Sequence, residues 1–270
     1  MMHARIGQAT SSAAAATTAA AAAAPAIARQ PVNPPRIAHD FSRVKVGTLM
    51  RARDGGGSSD AGTPACPPKE KLDAIEAQYR DIVKKGREKG ANVAADNLEH
   101  FLAGSGAKRV LSVPWLRGFE SLRGAERTNQ ERFENSLNEK ANSTGHGEKK
   151  TFTDHWSRMF TASQSEELYY ASGTSTIKST GSFELSAIEN VVSIFGNVKH
   201  HWYDPYDWHA GLSAFIPGVG NISDEDALAM QNCRGAKPYD MEADWQQQLQ
   251  GTVTVGAVWN DKSFSWSGPS

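Results

Sequence analysis

The 270-residue sequence holds only two cysteines, Cys66 and Cys233. Two are too few for a disulfide framework, and they lie too far apart to form a zinc-ligand pair. Long apolar runs are also missing. Nothing approaches the ~20 consecutive apolar residues that a membrane-spanning helix needs, which excludes such a helix. No cluster of Lys and Arg interleaves with aromatics, and the last third is acidic, which argues against a nucleic-acid partner. There is no His-Glu-x-x-His zinc helix, no Walker A loop and no Gly-x-Ser-x-Gly nucleophile elbow. Only 39% of the chain is hydrophobic.

What is present is uneven. The formal net charge of −1 sums three unlike parts: eight basic against three acidic residues over 1–69, eighteen of each over 70–200, and three against nine over 201–270. The first part is an Ala/Pro/Gly-rich leader. Its Ala and Thr tract over 13–24 lacks the Leu-type residues of a secretory apolar region. Pro25, Pro31, Pro34 and Pro35 forbid continuous helix, and the Gly/Ser/Pro-rich stretch over 55–68 has almost nothing to bury. Residues 1–68 are therefore expected to be a disordered leader with one short island between Ile37 and Val46.

From Lys69 the periodicity becomes helical. Leu72, Ile75, Tyr79, Ile82 and Val83 form one stripe, and Val93, Leu98, Phe101 and Leu102 form a second that stops at Gly104. Ser112 and Pro114 can cap and open a third helix, whose polar continuation offers only Phe133 and Leu137 to a core. Residues 69–147 thus read as a helical layer.

Over 148–270 the period changes to two. Leu168, Tyr170, Ser172, Thr174 and Thr176 alternate as in a strand, and Phe183 and Leu185 follow an expected turn at Thr180-Gly181. Val192, Ile194, Gly196, Val198, His200 and Trp202 share one strand face. Tyr239 to Val255 sustains the longest alternation, with a bend expected at Gly251. A short helix capped by Ser223 runs to Gly235. The loop before it lacks the Gly-Lys-Ser/Thr of a phosphate cradle, and Asp224, Glu225 and Asp226 occupy the helix's positive end. The expected fold class is α+β, a helical layer followed by a curved antiparallel sheet or partial β-barrel with one wet face. Residues 69–270 form one folded unit in this reading.

Chemistry concentrates in His200-His201-Trp202-Tyr203-Asp204-Pro205-Tyr206-Asp207-Trp208-His209, which holds three of the eight His. In one reading Asp204, Tyr206, Asp207 and His209 are catalytic, Asp204 and Asp207 hold a divalent cation, and Trp202 and Trp208 grip a ligand. In the other, the Asp side chains accept backbone N–H bonds in a strand-end turn while Tyr and Trp close the sheet core.

Two resemblances bear on function. His39-Asp40-Phe41-Ser42-Arg43-Val44-Lys45-Val46 resembles a stretch near the start of metallopeptidase-like proteins encoded beside extracellular contractile injection systems. Without the zinc helix the peptidase activity does not carry over. The resemblance implies an effector that is cytoplasmic in its producer and then secreted or delivered, with the leader contacting a contractile injection particle and the folded unit acting on a target-cell or envelope component. Asp204-Pro205-Tyr206-Asp207 resembles the Asp-x-Tyr-Asp motif of the colicin M family, which implies lipid II phosphoester hydrolysis with a divalent cation. The His-Arg pair that follows in that family has no counterpart over Ala210–Phe215. The competing expectation is a non-enzymatic module that binds a glycan or envelope component.

Overall fold

The computed structural model describes residues 66–162, 165–208, 213–216, 220–256 and 258–269. The leader up to residue 65, with its His39–Val46 stretch, and His209 lie outside these residues. The described residues belong to one compact unit, Ala61–Ser270.

The helical stripes fold as their spacing requires. Helix α1 (Lys69–Glu88) buries Leu72, Ile75, Tyr79, Ile82 and Val83, and its wet side carries i,i+4 ion pairs such as Arg80–Glu76 and Lys85–Asp81. Helix α2 (Asn92–Ala103) stops at Gly104, whose φ of 68° suits glycine at a helix end. Where one third helix was expected there are two. The short α3 (Val113–Arg117) is capped by Ser112 through the Trp115 N–H, and α4 (Glu120–Ala141) follows it. The sparse apolar stripe of α4 is completed by two buried polar residues, Glu126 and Asn129.

One expected strand is a helix. Residues Glu166–Ala171 form α5, because the Ser165 side chain accepts the Leu168 N–H and caps a turn where simple alternation suggested extension. The strand begins later, at Thr174, and runs through Gly181 without turning. Strand β2 (Lys149–Thr161), not anticipated from the sequence, pairs antiparallel with β3 (Thr174–Ile188) along its whole length. Strand β4 (Val191–Tyr206) and the later β7 (Tyr239–Thr254) confirm the two long alternations. Between them lie the small hairpin β5 (Ser213–Ile216) and β6 (Gly220–Ser223) and helix α6 (Asp224–Arg234), which Ser223 caps through Asp226 and Gly235 ends at φ 79°.

The sheet is open and mixed. Its order is β1-β7-β4-β3-β2, where β1 (Arg109–Val110) runs parallel to β7 and β8 (Asp261–Trp266) pairs antiparallel further along the same β7 edge. The fold is α+β, as expected, and of the two expected forms the long strands take that of an antiparallel open sheet rather than a partial barrel, with the two-residue β1 added in parallel. Alternate residues of β3, β4 and β7 are buried while those between them stay exposed, so one face is covered and the other is wet.

Glycines in the sheet make room for rings. Phe183 pairs with Gly196, where an added Cβ would sit 2.2 Å from the Phe183 ring, and Phe264 pairs with Gly251 in the same way at 2.4 Å. Gly251, expected as a bend, is instead a seat inside a continuous strand.

The two cysteines form a disulfide, with Cα atoms 5.8 Å apart. It ties the entry to α1 to the end of α6, beside an Arg234–Asp73 ion pair. Cross-linking residues 167 apart restricts the unfolded chain by about 5 kcal/mol in the loop-closure picture.

Replacing Cys66 with Ser is expected to lower the melting temperature by roughly 5–15 °C, from a typical loss of about 2–5 kcal/mol. Gly196→Ala should cost about 1–3 kcal/mol by overpacking against Phe183. A thermal scan of each variant checks both; an unchanged transition refutes the corresponding assignment.

Candidate functional site

Strand alternation divides the 200–209 cluster between two environments. Trp202, Asp204 and Tyr206 share the covered side, whereas His201, Tyr203 and Pro205 lie on the wet side of β4. Of the residues nominated for catalysis, Asp204 and Tyr206 thus share the covered side and Asp207 is exposed just beyond the strand, while His209 lies outside the described residues. Trp202 is fully buried, and its indole N–H has no partner. A side chain with no exposed surface cannot grip a ligand, so its proposed binding role falls. Trp208 is half-buried against the core, with its ring 5.9 Å from Phe101 and 6.4 Å from Tyr79.

Tyr206 belongs to the same aromatic group. It stacks on Tyr239 at 5.1 Å and meets Trp208 edge-on at 5.9 Å. Burial raises its phenol well above the ordinary range, so it stays neutral. These rings close the end of the sheet, as the structural reading of the motif expected.

Asp204 is the anomaly in this group. Only 3% of it is exposed, and Oδ2 has no hydrogen-bond partner. Burial, and secondarily the Asp207 charge, push its carboxyl up to about 9. At neutral pH it holds a proton, which makes it a poor cation ligand. Asp207 is exposed, and among the described residues no group of three His, Cys, Asp or Glu converges on a metal site.

Next to this end, a belt of polar groups crosses beneath the sheet. The Ser179 hydroxyl lies 2.9 Å from His200 Nδ1, and His200 Nε2 lies 2.9 Å from Gln247 Oε1. Asn129 donates to Ser179, and Gln130 donates to Gln247. Glu126 accepts from the Trp245 indole at 3.0 Å and from Arg117 at 3.1 Å. Burial lowers His200 to about 4, against the opposing pull of Glu126, so the imidazole is neutral. A neutral ring that accepts at Nδ1 and donates at Nε2 satisfies every bond in this chain.

The wet face carries a different chemistry. At one end His201 pairs with Asp244 at 2.9 Å, the Tyr203 hydroxyl donates to Asp240 at 2.8 Å, and Lys108 meets Glu242 at 2.5 Å. The bond to Asp240 raises the Tyr203 phenol to about 12. Farther along, hydroxyl and amide side chains predominate, with Lys199 and Glu184 among them. A shallow hollow there is lined by Phe195, Gln250, Thr252, Ser263 and Ser265. Phe195 is 43% exposed, an unusual state for a ring in the middle of a long strand. These outward residues were not singled out in the sequence, although the period of two that placed their neighbours inside also placed them outside.

The two buried titrating groups act on stability in opposite directions. Between about pH 4 and 9 folded Asp204 keeps a proton that the unfolded carboxyl loses, so stability should fall as pH rises, by at most about 1.4 kcal/mol per unit. Between about pH 6.5 and 4 the unfolded chain protonates His200 while the folded chain does not, so stability should fall as pH drops. From pH 6.5 to 9 His200 is silent. Denaturant midpoints across that window should decline for the parent chain and stay level for Asp204→Asn; an equal decline in both would refute the buried, protonated Asp204.

No protein-family model, curated protein or solved structure matches this chain.

Proposed function

We propose that this chain is an exported or injected bacterial effector whose folded unit works by recognition at a target-cell envelope. The carrying observation is the wet sheet face, where the outward side chains of four long strands lie exposed or half-exposed opposite the covered face. A face of that extent, built on rigid paired backbone, is a natural platform for a ligand too large for a pocket. Export is supported by the Cys66–Cys233 bond, since such bonds persist chiefly outside reducing cytoplasm. The resemblance of His39–Val46 to injection-associated proteins supports a role for the leader in reaching a contractile particle.

A colicin M-like hydrolase is the second reading, favoured by one observation: Asp204 is a buried, protonated carboxyl with an unpartnered oxygen, and perturbed groups of this kind cluster at functional sites. Its partner in the motif, Asp207, is exposed.

The full-length protein is expected to sediment with isolated bacterial envelopes. Removal of residues 1–65, which spares Cys66, should preserve the melting temperature and envelope binding but abolish co-purification with a contractile particle. Loss of folding on truncation, or co-purification without the leader, would overturn the division of labour. Periplasmic toxicity that Asp207→Ala abolishes without a change in melting temperature would favour the hydrolase instead.

A further inference from the structure

We propose that the hollow around Phe195 is a binding site for a neutral oligosaccharide, an inference that rests on the recognition reading above. Phe195 projects from β4 with Gln250 of β7 directly beside it in register, and Ser265 of β8 beside Gln250. Asn197, Gln248, Thr252 and Ser263 are exposed near it along the same strands. Each is an amide or hydroxyl side chain, able both to donate and to accept. Sugar hydroxyls have the same dual character, so such a surface can satisfy them in either sense.

The ring completes the match. The C–H face of a pyranose is apolar, and an exposed aromatic ring gives it a flat partner, while the surrounding amides and hydroxyls meet the equatorial hydroxyls at its rim. Gln246 to Gln250 spans about 14 Å at the strand rise, the reach of a short oligosaccharide.

Other occupants fit less well. An anionic ligand would seek Lys or Arg, and the exposed Lys199 beside Gln246 stands at the far end of this stretch, but the charged residue paired with Phe195 itself on β3 is Glu184. A second protein chain needs a cluster of apolar side chains at the centre of the contact, whereas the outward residues next to Phe195 are Ser193, Asn197, Glu184 and Gln250, and the exposed Val191 and Ile188 lie apart at the hairpin end.

The site also sits on the best-supported part of the sheet. Strands β4 and β7 pair without interruption over sixteen residues, and beneath them Gly251 is packed by Phe264. A platform of this kind holds its side chains in place before the ligand arrives, which limits the ordering cost of binding.

The test is titration of the full-length protein with chitohexaose and with cellohexaose, followed by amide NMR shifts. At least one probe should bind saturably, with shifts confined to β4, β7 and β8. Phe195→Ala should weaken that binding at least tenfold, Gln250→Ala about threefold, and Phe195→Trp should retain it, all with melting temperatures within about 2 °C of the parent. Failure of both probes to bind, shifts elsewhere, or full affinity in Phe195→Ala would overturn the assignment. Envelope sedimentation of Phe195→Ala separates the two readings: if it persists while the sugar site fails, recognition stands on another part of the face. Sugar binding at Phe195 without envelope sedimentation leaves the site and removes the envelope role.

Discussion

The neutrality of His200 is the constraint on which the interior depends. Its ring is bonded on both sides, to Ser179 and to Gln247, and it stacks on Trp245 at 5.2 Å. A charged imidazole there would place two donors where one acceptor is required, and it would leave Ser179 facing a donor. The bonds join β3, β4, β7 and α4, so a slip of any one of these elements breaks several of them together. Because a one-residue slip also exchanges the two faces of a strand, apolar alternation and the polar belt select the same register. The belt lies between two apolar clusters. One gathers α1, α2 and the Trp202 end of the sheet, and the other gathers Phe133, Leu137, Phe183 and Leu249.

Ser179, His200 and Glu126 have the outline of a nucleophile, a base and an acid, with Glu126 3.9 Å from His200 Nε2. Their environment gives that outline another meaning. Ser179 is 1% exposed, and its oxygen already accepts from Asn129. A reacting carbonyl has no route to it, and a ring held near pH 4 is a weak base at neutral pH. The same polar residue types that would signal catalysis in a cleft here specify how a helix seats on a sheet. Most Trp residues obey a related rule: Trp115, Trp156, Trp245 and Trp266 each donate to a carboxylate. Trp202 and Trp208 do not, which marks the 202–208 end as the less completely satisfied part of the core.

The legibility of the chain follows the range of the forces involved. Stripes in α1 and α2 and alternation in β4 and β7 are local patterns, and each was readable from residue spacing. The rest required long-range partners. Glu126 and Asn129 looked like surface residues because their acceptors and donors lie about fifty to more than a hundred positions away. The Cys66–Cys233 bond spans 167 residues, a separation from which no pairing can be inferred. Residues 166–171 alternated as a strand would, but a Ser165 cap and a single turn of helix outweighed a weak pattern. In the candidate site the density of aromatics and carboxylates was visible, whereas the division of Asp204 from His201 by strand direction became informative only once the covered face was known.

That division explains where function can be written. On the covered side most positions belong to the two apolar clusters or to the belt, so packing sets most of the residue types there. On the wet side the strands are equally rigid, but their side chains owe little to the core. At one end charges pair with each other, His201 with Asp244 and Lys108 with Glu242. Toward Phe195 amides and hydroxyls predominate, with the exposed charges of Lys199 and Glu184 among them. Exposed ion pairs contribute little to stability, and an exposed ring contributes less than a buried one. The run of amides and hydroxyls around an exposed ring is therefore not something that the packing of the fold requires.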